Sequence, residues 1–230
     1  MIGLYITLLM LLSYFLGSIP SGLIIGKVFK GIDIREFGSK NTGATNATRV
    51  LGPKYGLFAF LFDGLKGALV IIIVRWIGDP GLQSIGNSSM NILSLYGMVA
   101  VLGHVFPIYI NFKGGKAVAT SAGMIFAIEP LLGVAILALF LIIFFTTRFV
   151  SLGSMISAGA TLLYFIVRVI FFESPNFSTR LLELIVILVL AIIIFARHKA
   201  NRIRLKYGTE ARFFIFKPKE VKEAEKKNKK

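Results

Sequence analysis

Leu181-Leu-Glu-Leu-Ile-Val-Ile-Leu-Val-Leu-Ala-Ile-Ile-Ile-Phe-Ala196 runs directly into Arg197-His-Lys-Ala-Asn-Arg-Ile-Arg-Leu-Lys206, and this junction sets the reading of the whole chain. An apolar helix that ends on a cluster of cations is leaving hydrocarbon for a charged membrane surface. Upstream, six further apolar runs extend from about Ile2 to Val28, Tyr55 to Ile77, Ile92 to Ile110, Val118 to Ile128, Leu131 to Phe145 and Val150 to Phe172. A full crossing needs about 20 residues. The runs on either side of Glu129-Pro130 are shorter, so they are either two short or tilted helices turning there or one bent helix, and the charges favour two. With seven crossings and the N-terminus outside, Lys27 to Lys54, Lys113 with Lys116, Arg148 and everything from Arg197 onward fall on the cytoplasmic side, as the positive-inside rule asks. Arg75, Arg168 and Arg180 then lie near the outer ends, and Lys66 lies inside a span. The expected fold is an all-α integral membrane protein, a polytopic bundle of about seven transmembrane helices with a cytoplasmic C-terminus. The first run has no basic n-region and no small-residue cleavage pattern, so it is expected to be a retained helix, kinked by Gly17, Pro20 and Gly22.

Composition agrees. The 230 residues are 56% apolar, with a mean hydropathy of +0.79, against about 45–50% apolar content in soluble domains. The absence of cysteine excludes disulfides, thiolate metal sites and a cysteine nucleophile, and leaves the redox compartment undetermined. A net charge of +15 could suggest nucleic acid, but the basic residues sit between and after the apolar runs. The partner this implies is an anionic membrane surface, and no nucleic acid is expected. Residues 1–216 are read as one membrane domain. Beyond it, Lys217-Pro-Lys-Glu-Val-Lys-Glu-Ala-Glu-Lys-Lys-Asn-Lys-Lys230 is nearly devoid of apolar residues and is expected to be a basic, disordered cytoplasmic tail.

Three segments on the cytoplasmic side hold most of the unusual residues. Gly38-Ser-Lys-Asn-Thr-Gly-Ala-Thr-Asn-Ala-Thr-Arg49 gathers hydroxyls, amides and small residues around two cations, a composition that suits a phosphate but also suits a connector or helix cap. Gly103-His-Val-Phe-Pro-Ile-Tyr-Ile-Asn-Phe-Lys-Gly-Gly-Lys-Ala-Val-Ala-Thr120 sets a diglycine between Lys113 and Lys116 at the start of a helix. Helix amides, glycines and ammonium groups together favour a phosphate, although the Walker spacing is absent and a tight turn accounts for the same residues. In the third segment, the quoted stretch after Ala196, His198 and Asn201 stand at i and i+3 and would share a helix face; a basic amphipathic helix on the lipid surface is the plainer account. Asp63 and Lys66 are also three apart, within a span, where charges are paired or functional. An ion pair fixing helix packing beside the site is expected there, and His104 and Glu129 are expected to be structural or interfacial.

Together these segments resemble the bacterial acyl-phosphate-dependent glycerol-3-phosphate acyltransferase family. The resemblance is carried by Gly17-Ser-Ile-Pro20, Gly38-Ser39, Asn41, Gly43-Ala-Thr-Asn46 and Arg49, then Asp63-Gly-Leu-Lys-Gly67, Gly103-His104, Phe106-Pro107 and Phe112-Lys-Gly-Gly-Lys116, and finally His198, Asn201, Arg204-Leu205 and Gly208-Thr-Glu210. It implies a seven-helix enzyme of the cytoplasmic membrane, working at the cytoplasmic face. The enzyme would move a fatty acyl group from acyl phosphate to the sn-1 hydroxyl of glycerol 3-phosphate, giving lysophosphatidic acid and phosphate at the first step of phospholipid synthesis. It would need no acyl carrier protein, coenzyme A, metal, cofactor or obligatory protein partner. Ser39, Arg49, His198 and Asn201 are then the expected catalytic set. Asn41, Gly43, Thr45, Asn46, Lys113, Gly114, Gly115 and Lys116 are expected on substrate phosphate, with Asp63, Lys66, His104 and Glu210 in support. The sequence departs from the family pattern at Lys40 and Thr42, where Gly and Ile are usual, at Ala117, where Gly is common, and at Arg202, where Ile is common.

The chemistry suits these residues. An acyl phosphate is a mixed anhydride with a good leaving group, so positioning and charge neutralisation carry the reaction. The rival reading is a secondary transporter of a small phosphorylated solute, for which broken helices and intramembrane Asp63 and Lys66 speak; the polar residues gather at one face and show no repeated half. The orientation is open to measurement. A reporter fused at the N-terminus is expected outside and one after Lys230 inside, and finding both on one side rejects seven crossings.

Overall fold

The computed structural model describes residues 1–85, 90–172 and 176–214; the stretch 217–230, expected to be disordered, lies outside them. Helices dominate because no water is available in hydrocarbon to bond peptide groups, and an α-helix satisfies its backbone within one segment. α1 (Ile2–Ser18) and α2 (Ser21–Lys30) form a pair bent by 45°. The bend falls at Pro20, whose ring and missing N–H interrupt the ladder. Gly17 and Gly22, expected to share in the kink, are contact points instead: a Cβ on Gly17 would collide with the Ala100 carbonyl and one on Gly22 with that of Thr42.

The other helices are α3 (Ala44–Leu51), α4 (Pro53–Ile77), the single turn α5 (Pro80–Gln83), α6 (Leu93–Val105), α7 (Val118–Ile128), α8 (Pro130–Thr147), α9 (Val150–Phe171), α10 (Phe177–Arg197) and α11 (Lys199–Lys206). Pro53, Pro80 and Pro130 open helices at a position whose amide has no partner to lose. Gly31 (φ 64°) and Gly78 (φ 75°) close α2 and α4 in the left-handed conformation. Among the described residues the departure from all-α is a short antiparallel ribbon, Ser84–Ile85 against Met90–Asn91.

By length and composition, α4, α6 with the turn that follows it (Leu93–Ile110), α8, α9 and α10 are each able to cross a membrane, and α1 with α2 forms a sixth, broken span. The segment 118–145 is two helices, separated at Glu129. α7 has 11 residues, a rise of about 16 Å in a hydrocarbon layer of about 30 Å. Its first turns lie beside the middle of α4, where Gly64 faces the Ala119 carbonyl and Gly67 that of Thr120. Its last carbonyls, on Ala127 and Ile128, accept from Arg75 near the far end of α4. α7 therefore flanks only half of α4, and the other half is left for polar groups.

At that far end the cations placed near the outer ends converge. Arg168 is 2.6 Å from the Glu129 carboxylate and 3.2 Å from that of Glu183, and Arg180 donates to the Arg168 carbonyl at 3.2 Å. These bonds tie the α7–α8 break to α9 and α10. Without a hydrophobic force between helices in lipid, close backbone approach at small residues supplies the packing. Gly67→Ala, which drives a Cβ into the Thr120 backbone, is expected to cost about 1–3 kcal/mol, lowering the thermal midpoint in detergent by roughly 2–12 °C. Gly159→Ala, which meets open space, is expected to leave the midpoint unchanged or slightly raised; equal losses in both variants would contradict this packing account.

Candidate active site

The first wall of the site is the loop from Gly31 to Gly43. Asp33 turns it by accepting from the Arg35 amide at 3.0 Å and pairing with the Arg35 guanidinium at 2.6 Å. Asn46 then gathers it from within α3. Its Nδ2 donates to the carbonyls of Ile34 (2.7 Å), Asn41 (2.9 Å) and Phe37 (3.3 Å), and its Oδ1 accepts from the Ser39 amide at 2.8 Å. Asn41 Oδ1 accepts from the Gly43 amide at 2.9 Å, which turns the chain into α3. Asn46, expected on phosphate, thus spends its bonding capacity on the loop. Lys40 (φ 56°) and Ala117 (φ 71°), two of the departures from the family pattern, both adopt the left-handed conformation. Glycine would hold it freely; a residue with a Cβ does so at a cost of about 1–2 kcal/mol.

The opposite wall is built after α10. His198 is 3% exposed, and its Nδ1 donates to the Ile194 carbonyl at 2.8 Å, which leaves Nε2 as the ring acceptor. Burial lowers its pKa to about 4 against the raising effect of that bond, so the ring is neutral at pH 7. Gly208 (φ 68°) turns the chain back after α11 and drops Glu210 into the site. Its carboxylate accepts from Asn201 Nδ2 at 2.6 Å, Ser151 Oγ at 2.7 Å and Arg204 Nε at 2.7 Å. Burial raises the Glu210 pKa, and these three donors more than reverse it, leaving it below the ordinary value. Asn201, oriented by Glu210, turns its Oδ1 to Lys116 Nζ at 2.5 Å.

The diglycine works differently from the expectation. The amides of Gly114 and Gly115 are already spent, donating to the carbonyls of Val105 (3.2 Å) and His104 (3.0 Å). A Cβ on Gly114 would strike the His104 carbonyl, and one on Gly115 the His104 ring. These glycines serve close packing, and neither they nor Lys113 line the cavity. Arg197, to which the sequence reading gave no role, clamps this loop by donating to the carbonyls of Gly115 (3.1 Å) and Gly114 (2.7 Å). Behind the loop, Asp63 pairs with Lys66 at 2.8 Å and stands 3.6 Å from His104 Nδ1, while Lys66 also donates to the Ile19 carbonyl at 2.8 Å, beside the α1–α2 bend.

Between the walls lies a polar cavity of about 140 Å³. Ser39, Asn41, Gly43, Thr45, Asn46 and Arg49 line one side; Lys116, His198, Asn201 and Glu210 line the other, with Asp63 and His104 at the base. Lys66 remains behind it. Ser151 and Arg204 join the lining without having been singled out for a role. Arg204 stood in a quoted motif, whereas Ser151 carried no signal in an apolar run. Arg49 forms no ion pair among the described residues; burial lowers its pKa from the ordinary arginine value. An apolar cavity of about 450 Å³ adjoins the polar one, the two sharing Phe60, Val118, Ala119, Phe140 and Ser154.

Such a fold and site define a class: a multi-pass membrane protein whose bundle holds a cation-lined pocket beside an apolar groove. The family model described as glycerol-3-phosphate acyltransferase matches residues 7–208. The chain is 44% identical to a glycerol-3-phosphate acyltransferase of Acholeplasma laidlawii, over 90% of this chain and 92% of that one. It is 45% identical to the Bacillus subtilis (strain 168) protein of the same name, over 89% and 96%. Among solved structures it resembles PlsY, an integral membrane glycerol 3-phosphate acyltransferase. The glycerol 3-phosphate form gives a TM-score of 0.77 at 36% identity, over 91% of this chain and 96% of that one; the lysophosphatidic acid form gives 0.75 at 36%, over 92% and 96%. The chain belongs to the bacterial glycerol-3-phosphate acyltransferase family.

The site carries a pH signature. Burial pulls the Lys116 ammonium down to about 8; Glu210 opposes this, and Arg204, Arg49 and Arg197 push the same way as burial. Its charge is present below that pH and lost above it. Binding of a phosphate-bearing substrate is therefore expected to weaken as pH rises through about 8. In Lys116→Arg this alkaline limb should move beyond pH 10, because guanidinium keeps its proton. A limb that stays in place in the arginine variant assigns the titration elsewhere.

Proposed function

We propose that the chain transfers a fatty acyl group from an acyl phosphate to the sn-1 hydroxyl of glycerol 3-phosphate, releasing lysophosphatidic acid and inorganic phosphate. The observation that carries this reading is the junction of the two cavities: a cation-lined pocket sized for a small polar molecule opens beside a groove of apolar side chains. The name shared by the relatives supplies the acceptor. The groove fits the acyl chain of a donor whose head lies in the pocket, and a mixed anhydride asks nothing of the protein beyond position and charge.

In this scheme Arg49 and Lys116 bind substrate phosphate, and their charges offset the repulsion between two phosphate-bearing substrates in a low-dielectric pocket. The Ser39 hydroxyl and the amide of Thr45, in the first turn of α3, add donors. Asn46 holds the loop, and Gly114, Gly115 and Arg197 hold Lys116. Asn201 and His198 orient the hydroxyl, whose oxygen attacks the acyl carbon as the carbon–oxygen bond to phosphate breaks. The hydroxyl proton passes to the departing phosphate, a stronger base than an imidazole whose pKa is about 4.

For the topology we retain seven crossings, with the N-terminus outside and the pocket at the cytoplasmic face of the cytoplasmic membrane. Lys27, Lys40, Lys54, Lys113, Arg148 and Arg197 belong to the pocket end. α7 serves as the short crossing, its missing length replaced by the 111–117 loop and the pocket. Purified protein given acyl phosphate and glycerol 3-phosphate is expected to form lysophosphatidic acid and phosphate in equal amounts. Arg49→Ala should lower kcat/KM by about 30-fold or more, as loss of a charge-assisted contact implies, with folded protein still recoverable. No ester from this substrate pair, or unimpaired turnover without Arg49, overturns the assignment.

A further inference from the structure

We propose that Phe213 is a positioning residue that holds the Arg49 guanidinium ready for phosphate, so that the strap after Glu210 forms part of the substrate-binding apparatus. The inference rests on the reading of Arg49 as a phosphate ligand. Among the described residues no carboxylate pairs with Arg49, and its Cζ lies over the Phe213 ring, 5.7 Å from the centroid. A cation over the face of an aromatic ring is attracted to the negative π surface. Contact through that face leaves the guanidinium N–H groups free for oxygen ligands, as bidentate phosphate binding requires.

Phe213 is itself held. It is 8% exposed, its amide donates to the Arg148 carbonyl at 2.8 Å, and its ring centroid lies 5.8 Å from that of Phe144. Phe144 in turn stacks with Phe140 at 6.1 Å, and Phe140 lines both cavities. The far end of the strap is pinned by Glu210 to Asn201, Ser151 and Arg204. Arg49 thus rests on a ring anchored to α8 and tethered three residues away to the pocket.

Stepwise fluorination of the ring at position 213 weakens its negative face while keeping its shape. Full-length protein carrying mono-, di- and trifluorophenylalanine there is expected to show a KM for glycerol 3-phosphate that rises with each fluorine while kcat stays within about twofold. Phe213→Leu should raise that KM by about 2- to 30-fold, the span of a cation–π contact, and Phe213→Tyr should stay within about twofold of wild type. A purely structural role predicts a lowered thermal midpoint in Phe213→Leu with normal KM in the folded fraction. The fluorinated series folds with a native-shaped ring, so it decides the matter if the leucine variant does not accumulate. A flat KM across the series, with Arg49→Ala still raising KM, overturns the role of Phe213 alone. An unchanged KM for both substrates in Arg49→Ala overturns the phosphate reading of Arg49 and the inference with it.

Discussion

A carboxylate withdrawn from water needs donors in return, and Glu210, with a side chain 6% exposed, takes them from Ser151 on α9 and from Asn201 and Arg204 on α11. Once Asn201 gives its Nδ2 to Glu210, its Oδ1 must face the other way, and that is where Lys116 arrives from the loop before α7. One buried anion thereby sets the position of a cation more than 80 residues away in sequence. Leaving such an anion without its donors is strongly unfavourable, so the donors, the turn at Gly208 and the strap to Phe213 stand or fall together.

The depth of the pocket follows from helix lengths. Asp63 lies about 15 Å along α4 from Pro53, so the base of the polar cavity sits well inside the bundle. Charges at that depth require partners, and Asp63, Lys66 and the Ile19 carbonyl supply them to one another. The bend at Pro20 serves this arrangement, because it places a carbonyl freed from the helical ladder where Lys66 can reach it. The shortness of α7 serves it as well: a full-length helix on that face of α4 would fill the space the pocket occupies.

The electrostatic balance of the pocket favours anions. Asp63 is answered by Lys66 and Glu210 by Arg204, which leaves Arg49 and Lys116, among the described residues, as cations with no carboxylate of their own in contact. Burial lowers the stability of their charged forms, and the phosphate proposed to bind between them would offset that.

The sequence by itself determined the apolar helices, though not α3, which lies in the polar stretch ending at Arg49. The apolar runs end where charges, Pro or Gly begin, and all seven correspond to helices; a run too long for a soluble domain and bounded by cations has few other solutions in lipid. Five of the residues that the sequence singled out, Ser39, Arg49, Lys116, His198 and Asn201, come together along one pocket. Only the tertiary structure decided what each does. Gly114 and Gly115 look like a phosphate cradle in a linear reading, and the packing of His104 against them shows that their amides and their missing side chains are already used. Asn46 looks like a ligand and is a brace; Arg197 looks like a topology signal and is a clamp. Periodicity and capping report on neighbours within a turn or two, whereas these roles depend on which carbonyl or carboxylate a distant segment presents. That pairing exists only once α7, α9 and α10 have packed.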